Sequence, residues 1–488
     1  MNNIKNLLSI ALVALLFASL TSCDSGDGTK NAKDALSSFL NENDNVVAFG
    51  NAQLKDILNK ADYANIPKAG KLLGSEMSSL EKMIDFDTPV YYALEGPFEK
   101  GEGPASTYGF LQLKDNEAFV DELTKRGFDV VKKGDIQFTE DGDFALGFIE
   151  DIAIFVISNR DEDSEKMIAD AFKKIKGEMS GGKVDEILDQ EGDMILGMNV
   201  ASLYNTSNTD LSKLSKVKQE ELKEMVEDSY VQTVFKFEDG AGIIETKNFF
   251  SKTLESKMFF NSDNSAPLLA KLGSGTPRLG ISINLDMKKM QSFMDDYSPE
   301  TMDNLAKSMG PMVQGALMFS GKDGLASLFN GQLGAVMVGD VGDGEGMIPD
   351  FNAFVGMTKK GQDLASMMGE MDLGFGEFKT DKDGLSLRSG SDTKMNGASK
   401  GLNLPLGAEN FGKSGVSFFV NLDGVDLDEF ELEGGSNVLK VVKYITFDYD
   451  ENGGRLYIKA KKGQENVLKQ AMDVLIDEFA SEISKMSI

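Results

Sequence analysis

The residues best spaced for chemistry are Asp448, Asp450 and Asn452, alternate positions of the stretch DYDENGG, with Gly453 next. Calcium loops place oxygen ligands at alternate positions, a glycine for the sharp turn and a bidentate Glu at the twelfth. Here the twelfth position is Lys459. IQFTEDGDFALGFI, TVFKFEDGAGIIETK and GEFKTDKDGLSLR carry the same kind of acidic turn without the ligand set. The expectation at Asp448–Asn452 is therefore a hairpin turn, and no metal is assigned. Methionine is abundant, 25 in all, and closely spaced at Met309 and Met312 and at Met367, Met368 and Met371. Thioethers suit Cu(I) in exported proteins, but methionine also fills apolar helix faces, which is the reading adopted. With 79 acidic residues, carboxylate pairs fit for glycosidase chemistry are available everywhere, and none stands out.

Ser180-Gly-Gly-Lys183, Ser262-Asp263-Asn264 and Lys413-Ser414-Gly415 fall in the order of the three motifs of serine penicillin-recognising enzymes. That chemistry needs Ser and Lys one turn apart at a buried helix start. Gly181 and Gly182 put the pair in a helix-breaking turn instead, so no catalytic residue is assigned. The chain has no histidine, which removes Ser-His-Asp hydrolysis, most zinc sites and the usual general base near neutral pH.

One cysteine, Cys23, remains. It follows a polar start with one positive charge at Lys5 and an apolar run from Leu7 to Leu20. A run of about 14 residues is short of the roughly 20 that cross a bilayer as a helix, so residues 1–22 read as an export signal. Leu20-Thr21-Ser22-Cys23 resembles the lipobox of bacterial lipoproteins. The resemblance implies cleavage before Cys23 and acylation of its sulfur and new amino group, making Cys23 the lipid anchor. Two or three acyl chains hold firmly where one holds marginally, at about 0.8 kcal/mol per buried CH₂. With Cys23 modified no thiol is left for a disulfide, and none for catalysis or thiolate metal sites. Asp24 bears on sorting by rules that differ between hosts, so the membrane leaflet stays open. Residues 23–35 begin DSGDGTKNAK after the cysteine and read as a flexible tether; ten such residues span roughly 17 Å.

Loss of the signal leaves 49 Lys and Arg against 79 acids, a balance of −30. Such a surface repels nucleic acid and anionic headgroups. No nucleic-acid partner and no cofactor is expected; the membrane is the partner, through Cys23.

Four strands end in asparagine: VVAFGNAQL at Asn51, MILGMNVASL at Asn199, RLGISINLDM at Asn284 and GVSFFVNLDGV at Asn421. Asparagine caps free N–H groups at helix starts, so all four are read as strand-to-helix junctions. The four acidic-turn stretches, ITFDYDENGGRLYIK included, alternate apolar residues on both arms, as hairpins do. Strand-helix-hairpin units pair 194–251 with 415–463, an internal duplication. In SEKMIADAFKKIKG, Met167, Ile168, Ala171, Phe172 and Ile175 share one helical face, and a stripe from Val467 to Ile483 marks a last helix. The fold class expected is α+β, repeated modules of antiparallel sheet covered by amphipathic helices. The expected divisions are 36–180, 187–400 and 401–488, the last two separated by a Gly-, Asn- and Ser-rich stretch.

The lipobox, the opening from Asn51 to Leu54, the strand PVYYALEG and the segment STYGFLQLKDNEAFVDEL together resemble uncharacterised bacterial envelope lipoproteins of a domain-of-unknown-function family, over residues 36 to 250. The resemblance implies envelope location and repeated α+β architecture, and no activity. The sequence thus points to a lipid-anchored cell-envelope protein, at the outer membrane, with a non-catalytic binding or structural role. Two alternatives stand beside it: a carboxylate-dependent hydrolase acting on envelope or extracellular polysaccharide, and a hydrophobe- or lipid-carrying envelope protein.

Overall fold

The computed structural model describes residues 31–66, 70–98, 103–142, 144–159, 163–177, 179, 181–206, 214–261, 266–298, 320, 324–338, 350–368, 377–389, 401–425 and 436–486. It is α+β, with antiparallel sheet and packed helices. The chain forms two compact units. One comprises Met1–Asp210, Val226–Phe250 and Lys462–Ile488; the other comprises Leu211–Met225 and Ser251–Lys461. These limits differ from 36–180, 187–400 and 401–488: residues 187–206 and 226–250 join the first unit by strand pairing, and the last helix returns to it.

In the first unit α1 (Ala32–Asn41), β1 (Val46–Ala52), α2 (Leu54–Lys60) and α3 (Gly70–Leu80) precede β2 (Val90–Glu95), β3 (Ser106–Gln112) and α4 (Asn116–Lys125). Next come β4 (Val131–Lys133), β5 (Ile136–Asp141), β6 (Phe144–Ile149), β7 (Ile152–Ser158), α5 (Ser164–Lys174) and α6 (Lys183–Leu188). Strand β8 (Met194–Asn199), α7 (Val200–Thr206), β9 (Tyr230–Glu238), β10 (Ala241–Phe249) and α13 (Val467–Met486) complete it. Its strands lie in the order β4-β5-β6-β7-β3-β2-β1-β8-β9-β10, every pair antiparallel.

The helix starts follow from short polar side chains. Asn31 and Asp34 form a reciprocal capping box on α1, and Asp115 and Asp163 accept from Ala118 N–H and Lys166 N–H to start α4 and α5. Such caps contribute about 1 kcal/mol each. Helix α1 begins at Ala32, and Ala32 and Ala35 are fully buried, so residues 32–35 of the expected 23–35 tether belong to the folded body.

Helices cover both faces of this sheet. Leu36 and Phe39 of α1, Met167, Ile168, Ala171 and Phe172 of α5, Ile175 at its C-terminal cap and Ile187 of α6 pack on one side, against Phe49, Phe110 and Ile154. Leu54 and Leu58 of α2, Met77 and Leu80 of α3 and Phe119 and Leu123 of α4 pack on the other, against Leu111, Phe148 and Phe155. All seven residues of β1 are buried in consequence. Gly109 makes room for the ring of its cross-strand partner Phe155, which a Cβ there would meet at 2.0 Å.

The second unit opens with α8 (Lys216–Val226), α9 (Lys252–Lys257) and α10 (Ala266–Lys271), followed by β11 (Leu279–Asn284) and α11 (Met287–Tyr297). Then come β12 (Phe329–Val338), β13 (Asp350–Met357), α12 (Lys359–Met368), β14 (Glu377–Thr380), β15 (Gly384–Arg388), β16 (Val416–Asn421), β17 (Val442–Asp450) and β18 (Gly453–Ala460). Its order is β14-β15-β13-β12-β11-β16-β17-β18, again all antiparallel. This order matches that of the first unit from β6 to β10, with β11 in the place of β1 and the hairpin β17-β18 in the place of β9-β10. All four acidic-turn stretches are hairpins: β5-β6, β9-β10, β14-β15 and β17-β18.

Candidate functional site

On one side of its sheet the second unit leaves apolar residues partly exposed. In LGISIN, Leu279 and Ile281 are 39% and 38% exposed, whereas Ser282 and Asn284 have no exposed surface. The buried face is built from small and polar side chains whose bonds are made within the unit. Ser282 and Ser417 share a hydroxyl–hydroxyl bond of 2.6 Å, and Gly412 N–H donates to Ser282 Oγ at 2.9 Å. Asn284 Nδ2 donates to the carbonyls of Gly412 (3.1 Å) and Ser414 (2.9 Å). Leu268, Leu272, Phe354, Phe411 and Phe419 supply the apolar packing on that side.

Because cross-strand partners share a face, the registers define the other side row by row. One row crosses six strands as Ala353–Ala335–Ile281–Phe418–Phe447–Leu456. A second runs Phe351–Met337–Leu279–Val420–Ile445–Ile458. The third runs Leu385–Val355–Leu333–Ile283–Val416–Tyr449. Each of these side chains is half-buried or exposed, and none is ionisable except the Tyr449 phenol. Burying a Leu or Ile side chain is worth about 1.5–3 kcal/mol, so exposure near one third forfeits on the order of 0.5–1 kcal/mol at each of Leu279, Ile281 and Leu333. Exposed apolar surface spread over contiguous strands marks interaction sites.

Aromatic rings continue from one end of this face. Phe418 stacks on Phe447 (5.2 Å) and Phe447 on Tyr449 (6.3 Å), and Tyr449 meets Phe260 edge-on at 5.6 Å. Phe260 adjoins Phe259, which lies 6.0 Å from Phe293 of α11. Phe293 neighbours Tyr297, whose hydroxyl donates to Glu221 and whose ring takes the Lys218 amino group at 5.0 Å.

A second apolar feature lies in the first unit. Leu80, Met83, Ile84, Leu111, Phe119 and Leu146 line a cavity of about 30 Å³. That holds one small molecule the size of water and no acyl chain. Arg126, also in the lining, pairs with Glu76 at 2.6 Å and Glu122 at 3.0 Å.

The residues expected to do chemistry are placed otherwise. Cys23, the expected lipid anchor, lies outside the described residues. Asp450 accepts from the Asn452 N–H at 2.8 Å, closing the β17-β18 turn on itself. Asp448 lies on the opposite face of β17 from Phe447 and accepts from Asn410 Nδ2 at 3.1 Å. Burial holds the Asp448 carboxyl above its ordinary value, against the opposing effects of Asn410 and Arg455. Glu409 next to Asn410 shifts the other way: the Gly407 N–H and its own N–H hold it below its ordinary value. Asp448 ties the 401–414 loop to the sheet, and Glu409 closes a turn within that loop. Among the described residues no three Asp or Glu side chains gather as a metal site requires.

Ser180 and residues 262–264 are outside the described residues, Lys183 is bonded to Asp228 at 3.0 Å, and Ser414 is buried. The methionine groups at 309–312 and 367–371 fall where no side chain is described. Of the four asparagines read as helix caps, Asn199 is one, accepting from the Ser202 N–H at 3.1 Å. Asn421 accepts from the Asp423 N–H two residues on, which is a turn. Asn51 and Asn284 are not caps. Asn51 Nδ2 reaches the Leu188 carbonyl (3.0 Å), no side chain caps α2, and Asp286 caps α11. Both are buried cross-links between a central strand and the segment packed on it, and in both Oδ1 has no partner among the described residues. The partial exposure of this face was missed: alternation in LGISIN shows which residues share a side, not which of them reach solvent.

Among the described residues no helix is long and apolar enough to cross a membrane. No family model and no curated protein matches the chain. Solved structures of TP0453 are similar at low level: crystal form III at 10% identity, covering 46% of this chain and 81% of that one, TM-score 0.29. Crystal form IV stands at 11% identity, 43% and 79% coverage, TM-score 0.28. At those values the likeness carries neither fold nor function across.

Proposed function

We propose that this chain is a lipid-anchored cell-envelope protein of the outer membrane, held through acyl groups on Cys23, with a non-catalytic binding role. The binding part is carried by one observation, the three apolar rows of the second unit that are half-buried or exposed while the polar face of the same sheet is packed. Stability alone would place Leu279, Ile281 and Leu333 on the inside. The anchor rests on the lipobox, and membership of the envelope lipoprotein family rests on the strand and segment patterns from 36 to 250. The common strand order of the two units supports duplication of one module as their origin.

The anchor is tested by radiolabelled palmitate in the native host. The chain should take up label and sediment with membranes, and Cys23→Ala should lose both while keeping its fold by circular dichroism. A mature protein that begins downstream of residue 23, or carries a free thiol there, ends this reading.

A further inference from the structure

We propose that Glu95, Ser106 and Ser158, at the end of the first unit's sheet where α1 finishes, hold a small hard cation, sodium or calcium. This goes beyond the envelope role above and depends on neither the anchor nor the apolar rows. Glu95 closes β2, Ser106 opens β3 and Ser158 closes β7. The registers pair Glu95 with Ser106 and Ser106 with Ser158. The three side chains therefore share one face, with Cβ atoms roughly 5 Å apart across each pair. It is the face that carries Ala93, Tyr108 and Val156 in the core under α1. Asn43, just past α1, donates from Nδ2 to Glu95 Oε1 at 2.6 Å.

Two groups in this row are buried without the partners burial calls for. Glu95 is 8% exposed, and among the described residues no Lys or Arg pairs with it; the Asn43 amide is its hydrogen-bond donor. Ser106 is 1% exposed, and its hydroxyl has no partner among the described residues. Buried charges are paired or bind a metal, and buried polar groups are hydrogen-bonded. One cation answers both needs, balancing Glu95 and taking lone pairs from the hydroxyls. A water molecule would satisfy Ser106 and leave the Glu95 charge unbalanced. The donors are all oxygen, which suits hard cations and not the softer metals that favour sulfur or imidazole. One carboxylate with two hydroxyls is a low-charge set, so affinity belongs at the weak end, about 10⁻⁴–10⁻³ M for calcium in extracellular modules.

The full chain carrying Cys23→Ala is melted, followed by far-UV circular dichroism, in choline chloride, in sodium chloride and in calcium chloride with choline, all at one ionic strength. Choline screens the −29 chain equally and is too large to be coordinated between strands. Sodium or calcium should raise the melting temperature above that in choline by about 2 °C or more. Glu95→Gln keeps the acceptor for Asn43, removes the charge, and should lose that rise; Asp121→Asn, on the exposed side of α4, should keep it. In choline alone E95Q should melt at or above the parent chain, since no unpaired charge is then buried. Ser106→Ala should need about tenfold more cation for the same rise, and it carries the test if E95Q does not fold.

A rise in sodium assigns the site to sodium, and a rise confined to calcium assigns it to calcium. No rise over choline overturns the proposal and leaves the row to a proton or a water. An equal rise in E95Q and the parent chain, or a Ser106→Ala response equal to the parent's, overturns it as cation binding elsewhere. Palmitate labelling at Cys23 reads the anchor separately, so either result can fail without the other.

Discussion

Strands β1 and β11 hold the same place in two sheets of the same strand order, and they treat their side chains differently. All seven residues of β1 are buried, while β11 alternates between exposed and buried. The buried Asn51 and Asn284 fix the correspondence, and it places Ala48 opposite Ile281. Ala48 is 5% exposed and Ile281 is 38% exposed. In the first unit α2, α3 and α4 bring Leu54, Met77 and Phe119 onto that side of the sheet. In the second, large aliphatic residues stand at the matching rows and retain access to solvent. The same strand order thus supports full burial of β1 in one unit and partial exposure of β11 in the other.

The sharpest break of that comparison is a charge placed at the two matching positions. Ala48→Asp should cost about 3–5 kcal/mol, since an unpaired carboxylate would be buried between helices and sheet. Ile281→Asp should cost about 1 kcal/mol or less, because its carboxylate can reach water. Urea unfolding followed by circular dichroism measures both. Equal losses would show that Ile281 is as enclosed as Ala48, and the difference between the units would disappear.

A smaller effect separates the asparagines. Asn284→Ala strips the partner from two buried carbonyls, of Gly412 and Ser414, and should cost about 2 kcal/mol; Asn51→Ala strips one and should cost about 1 kcal/mol. Asn199→Ala removes a cap worth about 1 kcal/mol. The order to test by urea unfolding is Asn284 above Asn51 and Asn199; an Asn284→Ala variant as stable as wild type would remove the cross-link from the account of the buried face.

Much of this was legible beforehand, and the failures have a common cause. The four hairpins and the α5 face were readable because their signals are local: alternation, acidic turns and a 3.6-residue stripe. Asn199 was read correctly as a cap because its partner is three residues away. Asn51 and Asn284 do stand at strand-to-helix junctions, but not as caps, because their partners, Leu188 and Gly412, are far along the chain. The limits of the two compact units had no local signal either, since the pairing of β8 with β1 and the return of α13 are non-local. The exposure of Leu279 and Ile281 had no local signal, because strand periodicity fixes the two faces but not which residues reach solvent.

The smallest expected effect concerns the loop that closes the packed side of the second unit. Asp448 faces it and Glu409 lies in it, with Arg455 near both and Asp450 and Lys413 near one each. The Asp448 carboxyl is held above its ordinary 3.8 chiefly by burial. Its contribution is therefore full below pH 3.8 and is lost as the pH rises through its folded value. Glu409 is held below its ordinary 4.5, chiefly by the Gly407 N–H at 3.0 Å. Its contribution is present above pH 4.5 and is lost as the pH falls through its folded value. Asp448→Asn should accordingly raise the melting temperature at pH 7 and lose that advantage below about pH 3.8. Glu409→Gln should lower it at pH 7, with the deficit fading below about pH 4.5. Melting curves of the two variants and wild type from pH 3 to pH 7 decide it. Should both variants shift the same way at pH 7, the two acids do not anchor the loop by opposed balances of burial and backbone bonding, and the packed side would owe its closure to Asn284, Ser282 and Phe411 instead.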